Sequence, residues 1–330
     1  MDEIKRVARV IAIVAVLCAA GIGALRFGGR GQVRAVEAAW LRIEGAAKKA
    51  LAAAGIGVGK LDATDKRALA STMNPVTTRF AVYYANKLPP QAFALYDIIV
   101  FDRDRHPRLL PLERPGRILL AYVSFGEAEK SRSDYADLEN QGLILNAPAN
   151  WRGNSIIDVR RPEWGDYVLN QLIPAIIAQG FDGVMLDTTD SLIEAEKASP
   201  ARCAGLSRAT IGLIKEIRGR YPHLIIMLNR GFEILPQVEG DIDFEVAESI
   251  YTHWTGVGAP ALVPDAVYRH YVTQLKKAEA EAPTLKVATI DYWPADDKKT
   301  IRGIYAAKRA QGFIPYVTTP DLQSLAPQPQ

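Results

Sequence analysis

The sequence predicts a (β/α)₈ barrel, and three observations carry that prediction. From Phe80 onward, short apolar or β-branched runs alternate with longer helical patterns over about 240 residues, as in a parallel α/β fold. The (β/α)₈ barrel is the member of this class whose usual length is closest. The turn after the first run, NKLPPQAF (86–93), has no glycine fingerprint, so a dinucleotide-binding sheet is disfavoured.

Nine runs have the apolar, β-branched character of strands that are buried on both faces. In chain order they are FAVYYA (80–85), DIIVFD (97–102), ILLAYVS (118–124), SIIDV (155–159), GVMLD (183–187), LIIMLN (224–229), DFEVAES (243–249), VATIDYW (287–293) and FIPYVTT (313–319). A barrel needs eight, so we expect SIIDV or the last run to lie outside it, unless one assignment is wrong. Helical patterns fill several gaps, at 168–179, 209–220, 267–280 and 298–310.

The first 75 residues precede the predicted barrel of residues 76–326. Val10–Leu25 is uncharged and follows Lys5, Arg6 and Arg9, so residues 1–30 are interpreted as a signal peptide or a membrane anchor, with cleavage left open. Residues 31–75 are rich in alanine and are expected to form a helical spacer. We therefore expect the protein to be exported and extracytoplasmic, with a possible membrane tether through residues 10–25.

Charge and composition exclude several classes of function. The net charge of +3 is small, and six basic residues crowd the first 34 positions, so nucleic-acid binding is not expected. The body has one cysteine, Cys203, and the four histidines are scattered without a ligand pair. We therefore expect no metal, no cofactor and a monomer.

Polar residues close several of the predicted strands, and barrel enzymes build their sites at these carboxyl ends. Asp187 and Glu248 each follow an apolar run on different strands, and we take them as the candidate catalytic pair. The candidate substrate-binding residues are Tyr84, Asp102, Ser124, Glu127, Asn229, Tyr251, Asp291, Tyr292 and Trp293. A strand-terminal aspartate can also be a helix cap, and Tyr84 or Trp293 could mark the edge of the core.

Two carboxylates without a metal suffice to cleave a glycosidic bond. One protonates the leaving oxygen, and the other attacks the anomeric carbon or activates water. Tyrosine and tryptophan at the rim offer flat surfaces on which sugar rings can stack. The strand ends alone therefore indicate cleavage of a glycosidic bond, with Asp187 placed at the anomeric carbon of a sugar.

Six segments, in order, resemble the family 114 glycoside hydrolases, the endo-α-1,4-polygalactosaminidase-like proteins. The segments are AYVSFGEAE (121–129), GFDGVMLDTTD (180–190), LNRGFEIL (228–235), AES (247–249), IDYW (290–293) and GFIPYVTTPDLQSL (312–325). The resemblance implies a (β/α)₈ barrel and hydrolysis of a polysaccharide substrate, namely α-1,4-linked galactosamine polymers or related exopolysaccharides. It also implies a retaining reaction, with Asp187 as nucleophile and Glu248 as acid/base.

Two other readings remain open. A barrel that only binds carbohydrate, in polysaccharide export or envelope assembly, would need neither acid for turnover. A different hydrolase, such as a deacetylase, is disfavoured because its usual His and Asp metal ligands are not found in the sequence.

Overall fold

Eight parallel strands form the centre of the protein in the computed structural model, which describes residues 63–145, 149–150, 153–255, 258–326 and 328–329. The strands are β1 (Phe80–Tyr83), β2 (Ile98–Asp102), β3 (Ile118–Ser124), β7 (Gly183–Asp187), β8 (Ile225–Asn229), β9 (Phe244–Glu248), β12 (Lys286–Tyr292) and β13 (Ile314–Thr318). They are hydrogen-bonded in that order, and β13 lies beside β1, so the barrel is nearly closed. The predicted (β/α)₈ barrel is confirmed.

The remaining strands form two small sheets outside the barrel. Strands β4 (Glu127–Glu129), β5 (Ile144–Leu145) and β6 (Asn154–Ile157) make an antiparallel sheet in the connection from β3 to β7. Strands β10 (Thr252–Trp254) and β11 (Pro260–Leu262) pair as a hairpin after β9. The run SIIDV contributes to β6, so it is the predicted strand that lies outside the barrel.

Helices follow most barrel strands. They are α1 (Ala63–Thr72), α2 (Tyr135–Asn140), α3 (Pro162–Tyr167), α4 (Ile173–Gln179), α5 (Thr189–Ala198), α6 (Pro200–Cys203), α7 (Leu206–Arg220), α8 (Leu235–Val238), α9 (Asp265–Glu281) and α10 (Lys298–Ala310). A π-helical segment, Val168–Leu172, joins α3 to α4, and 3₁₀ turns occupy Pro90–Phe93 and Leu110–Leu112. The predicted helical pattern at 298–310 coincides with α10.

Helix α1 falls within the predicted spacer and contacts the amino ends of two barrel strands. Lys66 forms an ion pair of 3.2 Å with Asp182, just before β7, and Arg67 one of 2.8 Å with Asp243, just before β9. The predicted leader (1–30) and the rest of the spacer up to residue 62 lie outside the described residues. No helix in the described part of the chain is long and apolar enough to cross a membrane.

The apolar runs of the barrel strands are buried because their side chains face either the barrel interior or the helices. In β1, β2, β8 and β13 every residue is buried. Such packing fixes the height of each strand, and the register pairs Ser124 with Asp187, and Ile290 with Glu248. The carboxyl ends therefore meet at one rim.

Gly183, the first residue of β7, is required by the close approach of β8. A Cβ at this position would lie 2.0 Å from the backbone oxygen of Ile225. Because that atom belongs to the backbone, a rotation of a side chain cannot remove the clash. We expect Gly183→Ala to lower the free energy of unfolding by about 3 kcal/mol, because the strands would have to separate. Gly212→Ala in α7 is the matched control: a Cβ there meets nothing within 4 Å, so it should stabilise the helix by roughly 0.5–1 kcal/mol. Urea unfolding of both variants checks this, and equal stabilities would refute it.

Candidate active site

A cavity of about 710 Å³ opens at the carboxyl ends of the barrel strands. The side chains that line it come from the strand ends and the connections that follow them. They are Tyr84, Tyr122, Glu129, Asn150, Asn154, Met185, Asp187, Asp190, Asn229, Arg230, Glu248, Ser249, His253, Trp254, Ile290, Tyr292, Pro320, Asp321 and Leu322. The predicted pair and three of the predicted binding residues, Tyr84, Asn229 and Tyr292, are brought together here.

A single amide connects the two candidate catalytic carboxylates. Asp187, Asn229 and Glu248 are the last residues of the adjacent strands β7, β8 and β9. Nδ2 of Asn229 donates one hydrogen bond of 2.7 Å to Oδ1 of Asp187 and another of 2.7 Å to Oε2 of Glu248. The two accepting oxygens therefore cannot lie farther apart than twice 2.7 Å, or 5.4 Å.

Tyrosines complete the surroundings of the pair. The hydroxyl of Tyr292 donates a 2.5 Å hydrogen bond to Oε1 of Glu248, so both oxygens of this carboxylate have a donor. The rings of Tyr84 and Tyr122 pack together with centroids 4.8 Å apart on the cavity wall. Burial raises the pKa of all three hydroxyls, which keeps them protonated and able to donate.

The chain takes the same unusual conformation after each of the three strand-terminal residues. Thr188 (φ 62°), Arg230 (φ 53°) and Ser249 (φ 58°), which follow Asp187, Asn229 and Glu248, are all in the left-handed region. This conformation costs a residue other than glycine roughly 1–2 kcal/mol. Such outliers persist where the surrounding structure fixes them, and they cluster at functional sites.

Hydrogen bonds hold the backbone of Asp187 in place. Its carbonyl oxygen accepts from the backbone N–H of Phe125 at 2.8 Å and from the hydroxyl of Thr188 at 2.6 Å. Oγ1 of Thr188 in turn accepts from the N–H groups of Gly126 and Glu127. The end of β7 is therefore tied to the turn between β3 and β4.

The two carboxylates hold a proton to unusually high pH. Burial raises the pKa of Asp187 to about 7, and the negative charge of Glu248 adds to the effect, whereas the hydrogen bond from Asn229 opposes it. Asp187 is half-buried: protein atoms surround most of its side chain, and the rest faces the cavity. Titration belongs to the pair rather than to one residue, so the pair releases its last proton near neutral pH.

Turnover should depend on this proton if one carboxyl acts as an acid while the other is ionised. We expect the rate to fall as pH rises through about 7, because the singly protonated pair is then lost. Tyr292→Phe removes a donor that favours ionised Glu248. It should move this alkaline limb to higher pH and lower kcat by about 10- to 100-fold. A kcat profile from pH 4 to 9 measures both effects.

The matched control for Tyr292→Phe is Tyr316→Phe. The hydroxyl of Tyr316 lies 3.5 Å from the backbone oxygens of Val82 and Ser324 and bonds to neither carboxylate. Its profile should match that of the wild type. An alkaline limb that stays in place in Tyr292→Phe would contradict the role given to the Tyr292 hydroxyl.

Two predicted binding residues, Asp102 and Ser124, do not line the cavity. The carboxylate of Asp102 accepts from the backbone N–H groups of Asp104 and Arg105 and pairs with Arg132 at 3.0 Å. The Ser124 hydroxyl donates to the backbone oxygen of Glu127 at 2.7 Å. Both side chains therefore support connecting segments, which is the capping role that a strand-terminal polar residue often has.

Glu127 is also buried, but it acts on the cavity indirectly. Its carboxylate accepts from the backbone N–H of Asn150 at 2.8 Å and from Nδ2 of Asn154 at 3.0 Å. Both asparagines line the cavity. Glu127 thus fixes one wall of the cavity without lining it.

The last three predicted binding residues are Tyr251, Asp291 and Trp293. Asp291 is fully buried and faces Lys308, with Oδ2 and Nζ 3.5 Å apart. The ring of Tyr251 packs on that of Tyr268 at 4.9 Å. Nε1 of Trp293 donates to Asp297 at the start of α10. None of the three lines the cavity, so direct contact with a ligand there is not supported.

Several cavity residues were not predicted from the sequence. His253 and Trp254 belong to the β10–β11 hairpin, and Asn150 and Asn154 to the connection between β5 and β6 and the start of β6. These segments lie outside the repeating barrel pattern, so the strand-end rule could not find them. Arg230 follows Asn229 directly, and its position after a strand was the available signal.

Two of the cavity's carboxylates are paired with arginines. Asp190 lies 2.8 Å from Arg230, whose guanidinium also donates to the backbone oxygen of Glu248 at 2.7 Å. Glu129 lies 3.0 Å from Arg132. Within the described residues, no group of three or more His, Cys, Asp or Glu side chains is placed to hold a metal ion.

Two neighbouring carboxylates at the carboxyl ends of the strands of a (β/α)₈ barrel are the arrangement with which glycoside hydrolases cleave their substrates. The profile of glycoside-hydrolase family GH114 matches residues 62–330, and the chain belongs to this family. The resemblance read from the sequence is thereby confirmed, as is the assignment as a glycoside hydrolase.

Among the proteins similar to this chain are two solved structures and one uncharacterized protein. The chain is similar to the glycoside hydrolase domain of PelA from Pseudomonas aeruginosa, with a TM-score of 0.67 and 25% identity over 76% of this chain and 98% of that one. It resembles Ega3 of Aspergillus fumigatus, solved in complex with galactosamine, in fold, with a TM-score of 0.59 and 17% identity over 78% and 98%. An uncharacterized protein of Deinococcus radiodurans is 28% identical over 248 residues, 73% of this chain and 77% of that protein.

Proposed function

We propose that this protein cleaves α-1,4-linked galactosamine-containing exopolysaccharide by a retaining, two-carboxylate mechanism. The observation that carries the mechanism is the Asn229 bridge, which limits the distance between Oδ1 of Asp187 and Oε2 of Glu248 to at most 5.4 Å. Retaining enzymes place their carboxyl groups about 5–5.5 Å apart, whereas inverting enzymes need roughly 6.5–9.5 Å to admit a water.

Below about pH 7 the pair shares one proton, and the form that reacts is the one in which Glu248 carries this proton and Asp187 is ionised. Asp187 attacks the anomeric carbon and Glu248 protonates the departing glycosidic oxygen. The bond from carbon to that oxygen breaks, and a covalent glycosyl ester forms on Asp187. Glu248, now ionised, removes a proton from water, which attacks the same carbon and releases Asp187. The amide of Asn229 contacts both groups at 2.7 Å and stabilises whichever of them is negative at each stage.

The charge of the cavity supports an amino-sugar substrate. Five of its lining residues are carboxylates: Glu129, Asp187, Asp190, Glu248 and Asp321. Arginines pair with Glu129 and Asp190, which leaves the negative charge of Asp321 and of the Asp187–Glu248 pair. An excess of negative charge attracts ammonium groups. The choice of galactosamine and of the α-1,4 linkage comes from the resemblance to the polygalactosaminidase-like proteins.

The test is to incubate the full-length chain with an α-1,4-linked galactosamine polymer and to follow new reducing ends. Proton NMR of the first product identifies its anomer. Reducing ends with the α anomer formed first are the expected result, because retention preserves the configuration. A first-formed β anomer would overturn the retaining mechanism. Polymer binding without new reducing ends on any glycan would favour the alternative, a non-catalytic carbohydrate-binding barrel.

An extracytoplasmic location fits a polysaccharide substrate, and it stays a prediction that rests on residues 1–30. Fractionation of cells that produce the full chain, compared with a chain that starts at residue 31, tests it. Equal amounts in the cytoplasm for both chains would contradict export.

A further inference from the structure

A buried ion pair, Asp291–Lys308, lies behind the cavity wall, on the side of β12 that faces away from Glu248. Asp291 and Lys308 are each 0% exposed, and the Lys308 ammonium lies 3.5 Å from Oδ2 of Asp291. The same ammonium lies 4.9 Å from the ring centroid of Tyr251 and 4.5 Å from that of Tyr268. The pair thus joins the end of β12, the chain after β9, α9 and α10.

This ion pair is not expected to increase the free energy of unfolding. At 3.5 Å the two groups are farther apart than the 2.7–2.9 Å of a good charge-assisted hydrogen bond, and neither Nζ of Lys308 nor Oδ2 of Asp291 has a hydrogen-bond partner among the described residues. Burial raises the pKa of Asp291 and lowers that of Lys308 to about 8, despite their mutual attraction. Replacing such a pair by apolar groups is often neutral or stabilising.

The contacts of Asp291 lead instead to Glu248. Oδ1 of Asp291 accepts from the backbone N–H of Thr252 at 2.9 Å and from that of Tyr251 at 3.3 Å, on the chain that follows Glu248. Oγ1 of Thr252 accepts from the N–H of Tyr292 at 3.1 Å. Tyr292 is the next residue after Asp291, and its hydroxyl donates to Glu248.

We propose that the Asp291–Lys308 pair is a positioning unit for Glu248. Lys308 keeps Asp291 ionised, and the ionised carboxylate holds the chain after Glu248 and the strand end that carries Tyr292 in one arrangement. Neither residue touches substrate. The inference rests on the proposed function, since it explains how one of the two carboxylates of that mechanism is placed.

The double variant Asp291→Asn with Lys308→Met removes both charges and keeps an acceptor oxygen. A neutral acceptor makes weaker hydrogen bonds than a carboxylate, so the segment 249–252 and Tyr292 should shift. We expect kcat on the galactosamine polymer to fall by about 10- to 100-fold with KM within about twofold, since small displacements of catalytic groups have effects of this size. The thermal midpoint should stay the same or rise. A lower midpoint with unchanged kcat would mean a structural role only and would overturn the proposal.

The chain offers a matched control at the opposite end of the barrel. Lys66 and Asp182 form an ion pair of 3.2 Å with side chains 11% and 9% exposed, and Asp182 also accepts from a backbone N–H, that of Leu119. Lys66→Met with Asp182→Asn is the same chemical change far from Glu248. Its kcat should remain within about twofold of the wild type. An equal loss of kcat in both double variants would overturn the proposal.

A second readout separates this inference from the proposed function. The side-chain carboxyl of Glu248 can be followed by ¹³C NMR in glutamate-labelled protein, with Glu248→Gln to assign the signal. We expect the signal and its titration to move in the Asp291→Asn, Lys308→Met variant and to stay in the control. A wild type that hydrolyses no glycan would defeat the proposed function alone. An unmoved Glu248 signal would defeat the positioning role.

Discussion

Asp187→Asn and Glu248→Gln should each lower kcat on the galactosamine polymer by at least about 10³-fold while leaving polymer binding nearly intact. Each substitution keeps the shape of the side chain but removes a group that must either attack carbon or transfer a proton. The measurement is reducing-end release, with polymer affinity determined in parallel. A variant that keeps a tenth of the wild-type rate would exclude its residue from the pair.

An aryl glycoside with a good leaving group distinguishes the two roles. Departure of such a group needs no protonation, so Glu248→Gln should still form the glycosyl intermediate and show a burst of released phenol. Asp187→Asn should show none, because no nucleophile remains. The reverse pattern would exchange the roles of Asp187 and Glu248 and leave the two-carboxylate mechanism in place.

Asp187→Asn also has a defined effect on stability. Because the pKa of Asp187 is raised in the folded protein, from 3.8 to about 7, the folded state binds this proton more tightly than the unfolded state does. The contribution of Asp187 to stability is therefore fully present below about pH 4 and is lost as pH rises to about 7. Asp187→Asn should accordingly be more stable than the wild type at pH 8, by up to about 4 kcal/mol, with a difference that shrinks toward pH 4.

Asn229→Asp should be nearly as damaging to turnover, with an expected loss of about 10³-fold in kcat. The substitution replaces Nδ2, which donates to both carboxylates at 2.7 Å, by an oxygen that cannot donate when ionised. Three acids would then share the site, so the last proton should be retained to higher pH. The alkaline limb of the kcat profile should move upward accordingly.

Asn154→Ala is the matched control for Asn229→Asp. Asn154 lines the same cavity and donates to Glu127, and it contacts neither Asp187 nor Glu248 through that bond. We expect it to act mainly on KM and to leave the alkaline limb where it is. A limb that moves equally in both variants would show that the position of Asn229 between the two acids has no special effect.

The barrel was predictable because its strands are continuous apolar runs with a repeating spacing. GVMLD, for example, is β7 residue for residue, since a strand buried on both faces needs no polar position until its end. SIIDV has a similar apolar, β-branched character but forms part of β6 in the small antiparallel sheet. Composition alone cannot separate these cases, because the pairing partner of a strand is decided by contacts between distant segments.

The strand-end rule predicted that Asp187 and Glu248 lie together, and both line the same cavity, but the rule could not tell which way a polar side chain points. Successive residues of a strand face opposite sides, so Tyr292 reaches the cavity whereas Asp291 faces the helices and Lys308. Reading Asp291 and Tyr292 as neighbours at one rim ignored that alternation. His253 and Trp254 line the cavity but could not be predicted, since nothing in the barrel repeat indicates where a hairpin outside it will lie.

The left-handed residues that follow Asp187, Asn229 and Glu248 bear on how the enzyme meets its substrate. Conformational strain at Thr188, Arg230 and Ser249 is imposed by the barrel itself, since the N–H groups of Arg230 and Ser249 bond to the strand oxygens of Val246 and Ile290. The free-energy cost of shaping the site therefore lowers the stability of the folded protein and does not weaken ligand binding. The side chains of Asp187, Asn229 and Glu248 should therefore rearrange little when a sugar binds, as in lock-and-key recognition. The binding free energy is then available to distort the sugar ring toward its transition state.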